Sequence, residues 1–179
     1  MNASDSIYAG FADSFVSENS WHKLKEELIS TGNWKIINDF KIKPKESNLR
    51  QNSMEIKKFF FGKNHINIIK ELKKSKSKFA EESLLKIKKV SPLSMACTVK
   101  LINELGETNS IRKALNLEYR FTFRASEFGD FLEGIRAQII EKDRKPVWKH
   151  GSSEKVSIDD VSYMLASLKD KELNIEEML

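Results

Sequence analysis

Glu133, Arg136 and Lys142 are the residues whose types and spacing could do chemistry. They lie in Asp130-Phe131-Leu132-Glu133-Gly134-Ile135-Arg136-Ala137 and in Glu141-Lys142-Asp143-Arg144-Lys145-Pro146-Val147-Trp148. A carboxylate can serve as a general acid or base, but it can also simply cap a helix or pair with a cation. Glu133 stands three residues after Asp130, the spacing of an Asp-x-x-Glu capping box, and capping is its expected role. Arg136 follows on the same helical face, so a structural ion pair with Glu133 is expected ahead of substrate binding. Lys142 closes the helical pattern, where a cation complements the dipole. Glu118 and Arg120 are expected to form a buried network. His22, His65 and His150 are too far apart for a metal set, so no metal site is expected. Cys97 lies on an apolar face and reads as a core residue. There is no glycine-rich phosphate loop.

The elements that must position these residues are nearly all helices. Trp21, Leu24, Leu28 and Ile29 form one stripe at spacings of three and four, closed by Thr31-Gly32-Asn33. Ser53, Asn64 and Ser77 each open a short helix, with Gly62 and the Lys-Ser-Lys-Ser-Lys run at 74–78 as punctuation. Ser91-Pro92 is a strong start signal for a helix running to Gly106. The segment from Ser110 carries apolar residues almost all round, which predicts a central, buried helix. Ser157 and Asp160 form a second box, with Ile158, Val161, Leu165 and Leu168 as the stripe. Phe11–Val16 is the best strand candidate, and a lone strand requires a neighbouring ladder. The expected class is mostly α, with at most one or two short strands near the N-terminus.

With 179 residues and 40% hydrophobic content, the chain can bury one real core. One cysteine excludes an internal disulfide and fits a reducing compartment. No apolar run approaches the ~18 residues of a membrane span, and the first residues have no signal-peptide pattern. The expected setting is soluble and cytoplasmic. The net charge of +5 is uneven, with 15 Lys and Arg against 5 Asp and Glu between Lys41 and Val90. Lysines spaced along helices read first as a solvated face, and nucleic acid is not the expected partner.

Gly10-Phe11-Ala12-Asp13, Ser91-Pro92-Leu93-Ser94, Leu117-Glu118-Tyr119-Arg120 and the two charged segments around Glu133 and Lys142 occur in an order that resembles the 3-hydroxyisobutyryl-CoA hydrolases of the crotonase superfamily. The similarity covers nearly the whole chain and is densest from Ser91 to Trp148. It implies the helical C-terminal portion of a crotonase-like fold. Residues 1–16 would be a remnant of the spiral core and residues 17–179 the helical C-terminal region. The activity implied is hydrolysis of an acyl-CoA thioester in valine breakdown, through a carboxylate and an oxyanion hole of two backbone N–H groups.

In that family those groups belong to the spiral-core half, so no catalytic residue carries over and inactivity alone is expected. Lys142, and Arg136 beside it, are the candidates for the coenzyme A phosphates. Coenzyme A enters as part of the substrate, with no separate cofactor. The implied partners are the acyl-CoA substrate and either an N-terminal core chain or further copies, with no membrane. The compartment would be the mitochondrial matrix in a eukaryote. The alternative is a non-enzymatic binding or scaffold module associated with RNA or a ribonucleoprotein. Either way an apolar patch drawing on Phe11, Phe15 and Phe121 is expected.

Overall fold

The structure, a computed structural model, describes residues 1–106 and 110–173. The chain divides into two compact units, Met1–Lys58 and Phe59–Leu179.

The first unit begins with α1 (Ala3–Tyr8), capped by Asn2, whose side chain accepts from the Asp5 amide. Asp5 is buried and acts as the fastener of this unit. Its carboxylate accepts from Ser47 Oγ at 2.8 Å, the Leu49 amide at 2.9 Å and the Asn2 amide at 3.2 Å. The Leu49 and Ser47 donors hold its pKa below the ordinary carboxylate value. Residues 11–16 do not build a strand. Among the described residues the pairing is one antiparallel bridge between Val16 and Lys41, with the Ile42 amide donating to Phe15 O at 2.9 Å. The apolar run is too short to sustain a ladder, and Phe11 is 76% exposed.

Helix α2 (Trp21–Thr31) has the expected period and ends at Gly32, whose φ of +62° needs glycine. None of its residues is buried, so its apolar stripe is uncovered within this unit. Short turns α3 (Ile37–Phe40) and α4 (Asn48–Gln51) lead to α5 (Ser53–Phe60), where the division falls.

In the second unit, α6 (His65–Lys74) and α7 (Lys78–Ile87) are capped by Asn64 and Ser77 as the sequence predicts. They pack through Ile68, Leu72 and Ala80, with Phe59 beside them and Phe79 stacked on Phe59 at 6.3 Å. Helix α8 (Pro92–Leu105) follows Ser91 and Pro92 as expected. It turns Val99 to that cluster and Leu93, Ala96 and Cys97 to a second one, built with Val161, Met164 and Leu165 of α11 (Ile158–Leu165).

The central helix is therefore α8 and not α9 (Ile111–Ala125). Within α9, Leu117, Arg124 and Ala125 are buried, whereas Ile111 and Phe123 are 72% and 45% exposed. Ile111, Leu115, Tyr119 and Phe123 recur every four residues, so the all-round apolar pattern is two stripes, of which one is uncovered. Phe121 is half-buried against the α8/α11 cluster, so it adds little to any exposed patch. The capping box of α11 forms as predicted, and Val161, Leu165 and Leu168 are buried, but Ile158 is 84% exposed.

Candidate functional site

The charged segment starts at Asp130, which is buried where α10 (Phe131–Ile135) begins. The expected capping box with Glu133 does not form. Longer-range donors claim both carboxylates. Asp130 accepts from Ser91 Oγ at 2.5 Å and from the Lys149 amide at 2.8 Å. One buried carboxylate thus ties the start of α8, the start of α10 and the returning chain together. Helix α10 continues into a π-helical turn over Arg136–Ile140, where Glu141 N donates to Arg136 O at 2.8 Å. The wider turn lets the chain leave the helix and fold back, so that the Trp148 ring lies over Gly134. A methyl group at Gly134 would meet that ring at 3.9 Å.

Arg136 is the hub of this segment. Its guanidinium grips Glu133 in a bidentate pair at 2.7 and 2.8 Å, the expected ion pair. It also donates to Glu141, to Asp143 Oδ2 at 2.8 Å and to Lys145 O at 3.2 Å. Glu133 accepts a further bond from the Val147 amide at 2.6 Å, and Asp143 one from the Lys145 amide at 2.8 Å. Only the partner three residues away was legible from spacing. Glu141 and Asp143 reach Arg136 because the chain reverses, and no local pattern announces that.

This grip fixes an unusual backbone. Lys142 and Arg144 have φ of +57° and +56°, left-handed values that cost non-glycine residues of order 1–3 kcal/mol each. Lys142 is thus beyond the helix and not in its last turn, and it does not complement the dipole. It is exposed, with no carboxylate paired to it among the described residues.

Arg136, and next the Val147 amide, hold the Glu133 pKa at about 2 against an ordinary 4.5. The folded pKa is depressed, so this contribution to stability is full above about pH 4.5 and is lost as pH falls towards 2. A general acid at neutral pH needs the opposite shift, and the Glu133 carboxylate is taken up by Arg136 and the Val147 amide. Replacing Arg136 by Met is expected to raise the Glu133 pKa by at least one unit and to expose the 143–147 amides to exchange. NMR titration and hydrogen exchange measure both.

The other singled-out residues stay apart. Glu118 is exposed, and Arg120 pairs with Glu172 at 2.8 Å, so the expected Glu118–Arg120 network does not exist. The buried cation of α9 is Arg124, which spacing did not single out. It donates to the carbonyls of Met164, Ala166 and Ser167 at 3.4, 2.8 and 3.3 Å. Cys97 is buried in the core, and burial pushes its thiol up to about 12, with Asp160 adding to the shift. Such a thiol is no nucleophile. His65 lies 3.4 Å from Ser153 O, His150 3.3 Å from Asp160, and His22 3.4 Å from Glu26. Several lysines of α6 and α7 are already paired, including Lys74 with Glu71 at 2.8 Å and Lys78 with Glu82 at 3.8 Å. No helix among the described residues is long and apolar enough to cross a membrane.

Comparison with known proteins places this arrangement. Residues 1–165 match the family model of enoyl-CoA hydratase/isomerase. The chain is 31% identical to the mitochondrial 3-hydroxyisobutyryl-CoA hydrolase of Rattus norvegicus, over 92% of this chain and 46% of that protein. It is 29% identical to that of Homo sapiens, over 97% and 47%. Among solved structures, an enoyl-CoA hydratase from Rhodobacter sphaeroides 2.4.1 superposes with a TM-score of 0.88 and 39% identity, covering 97% of this chain and 50% of that one. A carnitinyl-CoA dehydratase from Mycobacterium thermoresistibile gives 0.85 and 26%, covering 96% and 49%. The chain spans about half the length of the curated relatives it matches. It belongs to the enoyl-CoA hydratase/isomerase family, and what it spans is the helical C-terminal part of the crotonase fold.

Proposed function

We propose that this chain supplies the C-terminal half of a 3-hydroxyisobutyryl-CoA hydrolase, which cleaves an acyl-CoA thioester in valine breakdown. The observation that carries this reading is the likeness of nearly the whole chain to the rat and human hydrolases. The mitochondrial names of those relatives favour the matrix as the working compartment in a eukaryotic cell. The carboxylate and the oxyanion hole come from the spiral-core half, on a separate chain or a longer one, and the coenzyme A enters with the substrate.

Lys142 meets the coenzyme A phosphates. Its ammonium has no carboxylate partner among the described residues, and it projects from a loop whose shape the Arg136 cluster fixes. A lysine serves there as a mobile point charge. Arg136 acts as a positioning residue, since its donors are taken up by Glu133, Glu141, Asp143 and Lys145 O.

A thioesterase assay on the 179 residues alone tests the division of labour. Release of free thiol from 3-hydroxyisobutyryl-CoA is expected to match spontaneous hydrolysis. Robust turnover, lost on Glu133→Gln, would overturn the reading.

A further inference from the structure

A cavity of about 450 Å³ opens between α6, α8 and the start of α11, in the range of small-molecule sites. It takes no part in the Arg136 cluster. Ile66, Val99, Val156 and Ile158 supply apolar wall, and Ile158 is 84% exposed although it starts an amphipathic helix. Lys100 alone among the lining residues carries a formal charge, and no carboxylate lines the cavity. Lys100 is half exposed and pairs with Glu104 at 3.2 Å one turn along α8, a contact weak enough for a ligand to displace. Helix α6 begins at the lining, at His65, so its positive dipole end adds to the same sign of field, whereas Asp159 and Asp160 in the first turn of α11 offset the dipole of that helix.

An apolar pouch with one cation and no acid suits a hydrophobic monoanion. It does not suit a polyanionic coenzyme, whose several phosphates would meet a single lysine. We propose that this cavity binds a medium-chain aliphatic monocarboxylate, with the chain between Ile66, Val99, Val156 and Ile158 and the carboxylate on Lys100. The site does not depend on the hydrolase reading.

The test is an NMR titration of the 179-residue chain with octanoate, hexanoate and octanol. Octanoate is expected to give saturable shifts at Ile66, Val99 and Val156. Hexanoate should bind roughly fifteenfold more weakly, about fourfold for each methylene withdrawn from apolar contact. Lys100→Gln should weaken octanoate about fivefold, the size of one solvent-exposed charge contact, and leave octanol unchanged. Glu104→Gln should strengthen octanoate by freeing the ammonium, and Ile158→Glu should abolish its binding. All three positions are exposed, and an acid at the start of α11 favours that helix, so unaltered thermal midpoints are expected. No saturable shift, equal affinities for octanoate and octanol, or shifts that bypass the cavity would each overturn the proposal.

Discussion

Truncating Leu72 to alanine is expected to cost the second unit about 3–4 kcal/mol of unfolding free energy. The side chain is 0% exposed and packs with Phe59, Ile68 and Ala80, with Phe60, Phe79, Leu84, Ile87 and Val99 around them. The stacked rings of Phe59 and Phe79 resist collapse into the space left behind, which keeps the cost above the low end of the usual range. A domain has only about 5–15 kcal/mol to lose. Leu72→Met keeps most of the volume and should cost less than about 1.5 kcal/mol. Urea denaturation of both variants measures the difference. A loss below about 1 kcal/mol for the alanine variant would mean that this cluster is not close-packed.

Arg124→Met is expected to cost about 3 kcal/mol, because it leaves three carbonyls near the end of α11 without their donor. It also removes the guanidinium that lies 5.1 Å from the centre of the Tyr163 ring. Arg124 is 9% exposed, so water cannot readily take its place. Arg120→Met is the control. Arg120 and its partner Glu172 are each about a quarter exposed, so water can take over part of the bonding to Glu172 and to Leu165 O, and the loss should be smaller, about 1–2 kcal/mol. Similar losses at the two positions would contradict the assignment of Arg124 as the buried cation that satisfies these carbonyls.

The difference between these two arginines shows what the sequence could and could not announce. Helix starts were legible wherever one residue decides them, as at Asn64, Ser77, Ser91 and Ser157, because an N-cap acts within three residues. The Glu133–Arg136 pair was legible for the same reason. The failures came where partners are distant in sequence. Asp130 has the right spacing for a capping box, but Ser91 and the Lys149 amide take its carboxylate. Arg120 was expected with Glu118, two residues away, but a helix does not bring such neighbours together, and it pairs with Glu172. The buried face of α9 could not be chosen from periodicity, since two apolar stripes compete and only tertiary packing selects one.

The loop that presents Lys142 was the least legible feature of the site. A lysine and an arginine with positive φ run against local preference. They persist because Glu133, Glu141 and Asp143 converge on one guanidinium, and the π-helical turn that makes this possible has no sequence signature of its own.

The most direct measurement is reconstitution. The 179-residue chain is combined with the spiral-core half of a 3-hydroxyisobutyryl-CoA hydrolase, and thiol release from 3-hydroxyisobutyryl-CoA is followed. Turnover is expected from the mixture and from neither part alone, and Lys142→Ala should raise KM about tenfold with kcat nearly unchanged, as loss of a contact made equally in ground and transition states requires. Turnover by the core half alone, undiminished by leaving this chain out, would contradict the assignment.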